Sequence, residues 1–285
     1  MSKYLQPEED GLLMQEYGPW TAEKLDYLAR YIDVFETAMR QQWHIRYYID
    51  LLAGSGKNRV EGSGAVLLGS ALLALTTKYP FTGYYFIDRS EDNTLALRQR
   101  CADSPNFQQV NIHTGDCNVL VNDIIAKIRV DNWRSLNLAF LDPEGLELKW
   151  DTVADLSTMR RMDLIINYPQ GGLNRYMPVA IETDEQTAVD DFFGDREWRR
   201  IYAASLNTPG THIHRQLMDH YKQKLQNLGY AQVIRDDETG DEPLMRNSRR
   251  NAPLYRLLFA SKHPRGHDFW QKITRRDMHG QGRLF

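Results

Sequence analysis

The sequence predicts an α/β protein built on a doubly wound mixed sheet, with a helix before the sheet and a helical extension after it. Strand-like segments alternate with helix-period segments over most of the chain, which is the pattern of βαβ units. The segment 136–141 is apolar throughout, as expected for a strand covered by helices on both faces. The 285 residues, 42% hydrophobic and 26% charged, suffice for one large domain or two small ones.

The order of elements follows from local patterns. A helix is predicted from Thr21, a favoured N-cap residue, because apolar residues follow at helical spacing: Leu25, Leu28, Ile32, Phe35 and Met39. Strands are predicted at 46–52, 83–87, 107–112, 136–141, 163–166, 230–234 and 254–260. Helices are predicted at 63–77, 91–101, 119–128, 150–159, from 197 onward, and at 212–228 and 267–276. The acidic stretch 177–195 has no periodicity and is predicted to be an irregular insertion or a mobile lid.

These patterns divide the chain into an N-terminal helical segment (1–45), an α/β domain (46–262) and a basic C-terminal tail (263–285). The formal net charge of −3 gives no overall attraction to nucleic acid or membrane. No segment approaches the roughly 20 apolar residues that span a bilayer, and the acidic start of the chain does not resemble a signal peptide. Two cysteines, Cys101 and Cys117, are too few for a disulfide framework. We therefore expect a cytoplasmic protein with both thiols reduced and buried.

A glycine-rich turn, Gly54-Ser55-Gly56, follows the first predicted strand of the sheet. Glycines there let the backbone take positive φ and approach a ligand closely. A phosphate loop would need Gly and Ser or Thr where Leu51 and Asn58 stand, and a dinucleotide fingerprint would need Gly in place of Arg59. A turn without any ligand is a further alternative.

The pattern fits an S-adenosylmethionine site better, because an acidic residue ends the strand and a small-residue Gly-x-Gly turn follows. The residues concerned are Asp50, Ala53, Gly54 and Gly56. Asp50 would bind the ammonium group of the ligand. Asp88 ends the second strand and would accept hydrogen bonds from ribose hydroxyls, unless Arg89 pairs with it.

Asp116, after the third strand, would reach the adenine amino group. An aspartate at a strand end is often only a helix N-cap. Three of them at successive strand ends, where open sheets bind ligands, are more specific.

The fourth strand ends in Asp142-Pro143-Glu144-Gly145. The proline fixes a turn, which would direct Asp142 toward a methyl acceptor, and Glu144 could act as general base. Tyr168, after the fifth strand, could stack on a flipped or single-stranded base. The alternatives are a structural turn with a cap and an aromatic residue packed at the rim.

Basic residues cluster toward the C-terminus. Four residues are predicted to bind nucleic-acid phosphates and bases, namely Trp198, Arg246, Arg249 and Arg250, although a solvated charged face is the alternative. The histidines show no metal-ligand spacing, so we predict no metal site.

Several motifs in order resemble the three-Cys-motif partner protein family. They are Pro19-Trp20-Thr21 with Lys24-Leu25 and Tyr31, the segment from Tyr48 to Gly56, Asp142 to Gly145, Leu254 to His263, and Phe269-Trp270. The resemblance covers about Trp20 to Ile273. It implies a methyltransferase-like fold and a partner protein that carries three clustered cysteines and is itself similar to radical S-adenosylmethionine proteins.

The Asp-Pro-x-Gly strand end also looks like that of base-modifying RNA methyltransferases, although Glu144 and Gly145 depart from the usual Pro-aromatic continuation. We therefore predict an S-adenosylmethionine-dependent methyltransferase acting on a nucleic-acid base. The alternative is a methyltransferase-like module that binds the three-cysteine protein without transferring methyl groups itself.

Overall fold

The computed structural model describes residues 2–132, 134–206, 213–230 and 242–276 as an α/β fold. Its strands are β1 (Gln15–Tyr17), β2 (Arg46–Asp50), β3 (Lys57–Val60), β4 (Val66–Leu68), β5 (Gly83–Asp88), β6 (Val110–Thr114), β7 (Leu136–Leu141), β8 (Met162–Tyr168), β9 (Leu244–Arg246) and β10 (Pro253–Ala260). Its α-helices are α1 (Trp20–Met39), α2 (Ser70–Leu75), α3 (Glu91–Cys101), α4 (Cys117–Asn132), α5 (Trp150–Ser157), α6 (Gln170–Ala180), α7 (Ala188–Phe193), α8 (Glu197–Leu206), α9 (Ile213–Asn227) and α10 (Pro264–Thr274).

Seven strands form a mixed sheet in the order β6-β5-β2-β7-β8-β10-β9. The strands from β6 to β8 in that order are parallel, and β10 runs antiparallel to both of its neighbours. The chain extends outward from β2 in one direction and then, beginning at β7, in the other. This doubly wound order confirms the predicted α/β class, and it places a crevice where the order reverses, at the edge formed by the carboxyl ends of the parallel strands. We call this edge the carboxyl edge.

Two apolar cores lie on the two faces of the sheet. Successive side chains alternate between them, as the pleat of a strand requires: Tyr48 packs in one core and Ile49 in the other, and Phe140 and Leu141 divide in the same way. Helices α4 to α9 cover the face of Ile49, and α1, α2, α3 and α10 cover the face of Tyr48. Because both faces are covered, every residue of β8 is buried.

The predicted strands at 83–87, 136–141, 163–166 and 254–260 agree closely with β5, β7, β8 and β10. The short strands β1 and β9 were not predicted. Most of the strand predicted at 230–234 lies outside the described residues. Both cysteines are unpaired and buried, as predicted, and burial raises the pKa of each thiol to about 12.

The helix predicted at 63–77 is wrong over its first half. Residues Val66–Leu68 instead pair antiparallel with β3, and the chain turns between the strands through Gly62 and Gly64, both at positive φ. Helix α2 begins only after Gly69. A continuous apolar run does not distinguish a strand from a buried helix, and here the pairing with β3 decides.

The irregular insertion or lid predicted at 177–195 is also wrong. Most of this stretch belongs to α6 and α7. Helix α7 begins with a capping box, in which Thr187 Oγ1 accepts from the Asp190 amide and the Asp190 carboxylate accepts from the Thr187 amide. One of the acidic residues that made this stretch look aperiodic, Asp190, forms part of the N-terminal capping box of α7.

The first residues of the predicted basic tail pack onto the N-terminal helix. Arg30 of α1 donates to the Ile273 carbonyl at 2.9 Å, and Trp270 of α10 stacks on Phe259 with ring centroids 5.2 Å apart. Residues 277–285 lie outside the described part of the chain. Among the described helices, none combines the length and the apolar character that a membrane crossing requires.

Candidate functional site

The carboxyl edge brings most of the predicted site residues together. The end of β2 contacts the end of β5 through a hydrogen bond from the Ala53 amide to the Ile87 carbonyl at 2.8 Å. The Gly115 amide, after β6, donates to the Asp88 carbonyl at 3.0 Å. The three acids Asp50, Asp88 and Asp142 lie close enough to influence one another electrostatically. The switch point of the sheet is therefore lined by carboxyl groups.

The glycine turn has the predicted positive φ values, +61° at Gly54 and +92° at Gly56. A Cβ atom on Gly56 would lie 2.8 Å from Leu97 Cδ1, so α3 packs directly on the turn. The Gly69 amide donates to the Gly56 carbonyl at 2.7 Å. In chain order the β3–β4 hairpin therefore separates the glycine turn from α2. In space, α2 nevertheless begins beside the turn.

Lys57 does not serve as a phosphate-binding lysine. Its side chain is fully buried, and Nζ contacts Asp10 Oδ2 at 2.8 Å and donates to the carbonyls of Lys3 and Glu8. Arg100, also fully buried, donates to both oxygens of Asp10 at 2.8 Å. Burial alone would raise the pKa of Asp10, but hydrogen bonds from Arg100 and Lys57 hold it well below its usual value. These cations fasten the N-terminal segment, which excludes the phosphate-loop alternative.

The dinucleotide alternative fails for a related reason. Arg59, at the position of the missing third glycine, lies in β3 and pairs with Glu9. The glycine turn leads into a strand, so no helix N-terminus directly follows it to receive a pyrophosphate.

Asp50 is the most unusual carboxyl group of the site. It is fully buried, its Oδ1 accepts from the Leu52 amide at 3.3 Å, and Oδ2 has no hydrogen-bond partner in the described chain. Burial, with a smaller contribution from Asp142 and Asp88, raises the pKa of Asp50 to about 7, although the Ser70 hydroxyl opposes the rise. The Leu52 amide and the Ser70 hydroxyl offset part of the cost of burying this carboxylate, and a further donor or cation at Oδ2 would stabilise it more.

Asp88 is half-buried and already holds three hydrogen bonds. Oδ2 accepts from the Gly54 amide at 2.9 Å, and Oδ1 accepts from the Ser90 amide and from Asn93 Nδ2. A carboxylate offers about four lone-pair positions, so roughly one remains for a ribose hydroxyl rather than the two predicted. The alternative partner, Arg89, is not among these donors.

Asp116 is exposed at the start of α4. Its Oδ1 accepts from the amide and the side chain of Asn118, both at 2.8 Å. This is the geometry of a helix cap, the alternative that the sequence left open. Asn118 also donates to the Glu147 carbonyl at 2.8 Å, which joins the start of α4 to the loop after β7.

Asp142 is held by two partners. Lys24 of α1 forms an ion pair with Oδ2, and Asn167 Nδ2 donates to Oδ1 at 2.8 Å and to the buried Pro143 carbonyl at 3.2 Å. The Lys24 ammonium also lies 5.2 Å from the centroid of the Tyr255 ring. Sequence reasoning did not assign Lys24, Asn167 or Tyr255 to the site.

Glu144 is exposed and accepts a hydrogen bond from the Tyr17 hydroxyl. Burial, the Glu144 hydrogen bond and the charges of Asp142 and Asp88 raise the pKa of Tyr17 far above its usual value. Strand β1, which carries Tyr17, pairs with β3 and also places Gln15 beside Gly54. This N-terminal strand therefore crosses from the glycine turn to the loop after β7.

Tyr168 does not reach the crevice, so its predicted role in stacking on a base is wrong. Its side chain is fully buried, with the rings of Phe192 and Tyr221 at 5.7 and 6.0 Å. The pleat of β8 turns Tyr168 toward the core under α7 and α9, whereas Asn167, one residue earlier, faces Asp142.

Trp198 is likewise wrong as a nucleic-acid contact. It is fully buried in α8, and its Nε1 donates to Asp190 Oδ1 at 2.9 Å. Arg199 donates to the same carboxylate, so this part of the basic cluster fastens α7 to α8.

The other three predicted contacts are exposed where β9 ends and the chain turns toward β10, a segment (246–250) that we call the arginine turn: Arg246, Arg249 and Arg250. In the register of the sheet, Arg256 of β10 lies opposite Tyr168, the last residue of β8. The turn that precedes β10 therefore projects at the carboxyl edge. Arg249 contacts Glu61 of the β3–β4 hairpin at 3.1 Å, across the crevice from its own strand.

No group of three or more potential ligands that could hold a metal ion occurs in the described ranges.

Neither a protein-family model nor a curated protein matches the chain. Three solved structures are distantly similar. A Legionella pneumophila protein of the family named DUF519 has 11% identity and a TM-score of 0.37, covering 55% of this chain and 73% of its own. A conserved hypothetical protein from Streptococcus pyogenes has 11% identity and a TM-score of 0.31, covering 47% and 74%. A possible exported protein from Bordetella parapertussis has 12% identity and a TM-score of 0.39, covering 91% and 77%. Likenesses this distant do not indicate a shared activity.

Proposed function

We propose that this protein is an S-adenosylmethionine-dependent methyltransferase with a nucleic-acid substrate. The observation that carries the proposal is the buried Asp50 carboxyl group, whose Oδ2 has no hydrogen-bond partner in the described chain and which lies beside Asp88 and Asp142. S-adenosylmethionine carries an ammonium group and a sulfonium centre against one carboxylate, so it would bring net positive charge to Asp50 and Asp88, while Lys24 already balances Asp142. The same acids would repel a phosphate-bearing cofactor. Lys57 and Arg100 could not offset this repulsion, because both are paired with Asp10.

The sheet supports the same proposal. An antiparallel strand next to the fifth parallel strand distinguishes sheets of the methyltransferase type from the all-parallel dinucleotide-binding order 3-2-1-4-5-6, and β10 occupies that position. In this proposal Asp50 binds the ammonium group, the turn from Ala53 to Gly56 supports the ligand, and Asp88 binds a ribose hydroxyl. Asp116 remains the candidate for the adenine amino group.

The partner protein implied by the family resemblance stays a prediction, as does the alternative that the chain only binds that partner. Titration with S-adenosylmethionine, followed by a radiolabelled methyl-transfer assay on DNA, RNA and the partner protein, separates the two, because only a methyltransferase must both bind the methyl donor and transfer its methyl group.

The affinity for S-adenosylmethionine is expected to fall as the pH is lowered from 8 to 6. Asp50, with a pKa near 7, would then take up a proton and lose the charge that attracts the ammonium group. The measurement is calorimetric titration at several pH values with the wild type and with Asp50→Asn. The variant should bind roughly tenfold to a hundredfold more weakly at pH 8, the value of one charge-assisted hydrogen bond, and its affinity should vary less with pH.

Thermal unfolding of the same two proteins provides the control. Because the pKa of Asp50 is raised in the fold, ionisation of this group destabilises the folded protein as the pH rises from about 4 through 7. Asp50→Asn should therefore be more stable than the wild type at pH 8, and the difference should shrink at pH 5. A stable variant with unchanged affinity would place the ligand away from Asp50.

Binding of a mixed-sequence single-stranded RNA is expected to weaken with salt and to depend on the arginine turn. Replacing Arg246, Arg249 and Arg250 together with Ala should reduce the slope of log affinity against log salt by up to about 2, because each phosphate contact contributes roughly 0.7. The matched control replaces three exposed basic residues that follow the opposite end of β10, namely Arg265 and Lys272 of α10 and Arg275 directly after it. Equal losses in both triple variants, measured by fluorescence anisotropy, would contradict a specific role for the turn.

A further inference from the structure

A buried lysine, Lys24, lies beside Asp142, the residue that the sequence predicts to face the methyl acceptor. The Lys24 side chain is 9% exposed and pairs with Asp142, whose side chain is 18% exposed. An ammonium group has three N–H donors, and within the described residues Lys24 uses one of them, in its ion pair with Asp142. On its other side lies the face of Tyr255. Lys24 therefore retains donor capacity next to the carboxylate at the end of the fourth parallel strand.

The ammonium group of Lys24 favours one kind of acceptor over another. A nitrogen that receives a methyl group gains positive charge in the transition state, and a neighbouring ammonium would oppose that change. A hydroxyl oxygen that loses its proton gains negative charge, and a preorganised ammonium stabilises it. The buried position of Tyr168 points the same way, because it removes the aromatic residue that was expected to hold a base.

We propose that the acceptor is a hydroxyl group, the 2′-hydroxyl of RNA, and that Lys24 and Asp142 act on it together. This inference rests on the proposed function. The acceptor oxygen forms a bond to the methyl carbon as the methyl–sulfur bond breaks, and the electron pair of that bond returns to sulfur, leaving a neutral thioether. The hydroxyl proton passes to the Asp142 carboxylate and then to water, while the Lys24 ammonium stabilises the negative charge on the oxygen.

RNA is the substrate that the surroundings favour, because the arginine turn projects at the same edge of the sheet. Phosphate contacts there would position a strand, and the 2′-hydroxyl is the group that distinguishes RNA from DNA. Glu61 and Arg249 join the β3–β4 hairpin to the arginine turn beside this path.

Two experiments test the inference with total cellular RNA and with a random 40-nucleotide pool in RNA and DNA form. After incubation with methyl-labelled S-adenosylmethionine, digestion to nucleosides should recover the label as 2′-O-methylribonucleosides. Without the methyl donor, anisotropy should show the RNA pool binding about fivefold more tightly than the DNA pool, the effect of roughly one hydrogen bond. Lys24→Met should abolish this preference and lower the labelling about 10²-fold, and Lys24→Arg should keep part of both.

The matched control is Lys78→Met, an exposed lysine after α2 at the opposite edge of the sheet, which should change neither readout. Label recovered on bases, or no label in RNA despite binding of S-adenosylmethionine, would overturn the hydroxyl acceptor and leave ligand binding intact. Absence of any heat on titration with S-adenosylmethionine would instead remove the proposed function, and this inference with it. The product analysis of the wild type decides the acceptor even where a variant fails to fold.

Discussion

Asp10→Asn is expected to destabilise the protein by about 3–5 kcal/mol, because it leaves two buried cations without their counterion. Lys57 and Arg100 are fully buried and both contact Asp10. The pKa of Asp10 is held low, so its contribution is present at neutral pH and is lost as the pH falls below about 4 through the folded-state value. Urea unfolding at pH 7 measures the loss, and the difference between wild type and variant should narrow in acid.

Glu9→Gln is the matched control in the same segment. Glu9 pairs with Arg59 near the surface, where an ion pair contributes at most about 1 kcal/mol. Equal losses of stability in the two variants would show that the buried ion pairs of Asp10 with Lys57 and Arg100 do not hold the N-terminal segment in place. These ion pairs also matter for the site, because Arg100 donates to the Leu13 carbonyl just before β1, and β1 carries Tyr17 to Glu144.

The sequence predicted the acids of the carboxyl edge correctly in position because their placement depends on topology. Once parallel strands are recognised, residues that follow their carboxyl ends must meet at one edge. Asp50, Asp88 and Asp142 follow strongly patterned strands, so local patterns sufficed. The long-range contacts of these acids were not predictable, since the Gly54 amide that donates to Asp88 and the Asn167 side-chain amide that donates to Asp142 belong to distant parts of the chain.

One alternative that the sequence disfavoured, a phosphate-binding Lys57, and one wrong prediction, the stacking role of Tyr168, were both decided by contacts between distant parts of the chain. Lys57 follows a Gly-Ser-Gly turn as a phosphate-binding lysine would, but its partner Asp10 belongs to a distant segment without periodicity. Tyr168 and Asn167 both end β8, and the sequence does not show which one faces the crevice because every residue of that strand is buried. In both cases a long-range contact decided between local alternatives.

Lys24 could have been predicted to be buried from its position in the sequence. It lies four residues before Leu28, on the apolar stripe of α1 that the helical spacing defines, and the structure buries both. A lysine on such a stripe predicts a buried charge that needs an acidic partner. The sequence does not identify that partner, since six strands, β2 to β7, separate Lys24 from Asp142 in the chain.

Asp142→Asn is expected to lower the rate of methyl transfer on the order of 10²-fold or more while leaving the affinity for S-adenosylmethionine nearly intact. The amide keeps the size of the carboxylate and one acceptor oxygen. It removes the charge that balances Lys24 and the group that takes the acceptor proton. Single-turnover transfer and calorimetric titration measure the two quantities, and thermal unfolding shows whether the variant remains folded with Lys24 unpaired.

Two further variants, Glu144→Gln and Asp123→Asn, serve as comparisons for this prediction. Glu144 is exposed and held by Tyr17, so its amide should retain transfer within a few-fold, and Asp123, exposed on α4, should have no effect. A larger loss in Glu144→Gln than in Asp142→Asn would make Glu144 the base. If both site variants transfer methyl groups at the wild-type rate, the acceptor does not enter beside the fourth parallel strand. If the wild type binds S-adenosylmethionine but transfers to no acceptor offered, the protein is better described as a methyltransferase-like binding module.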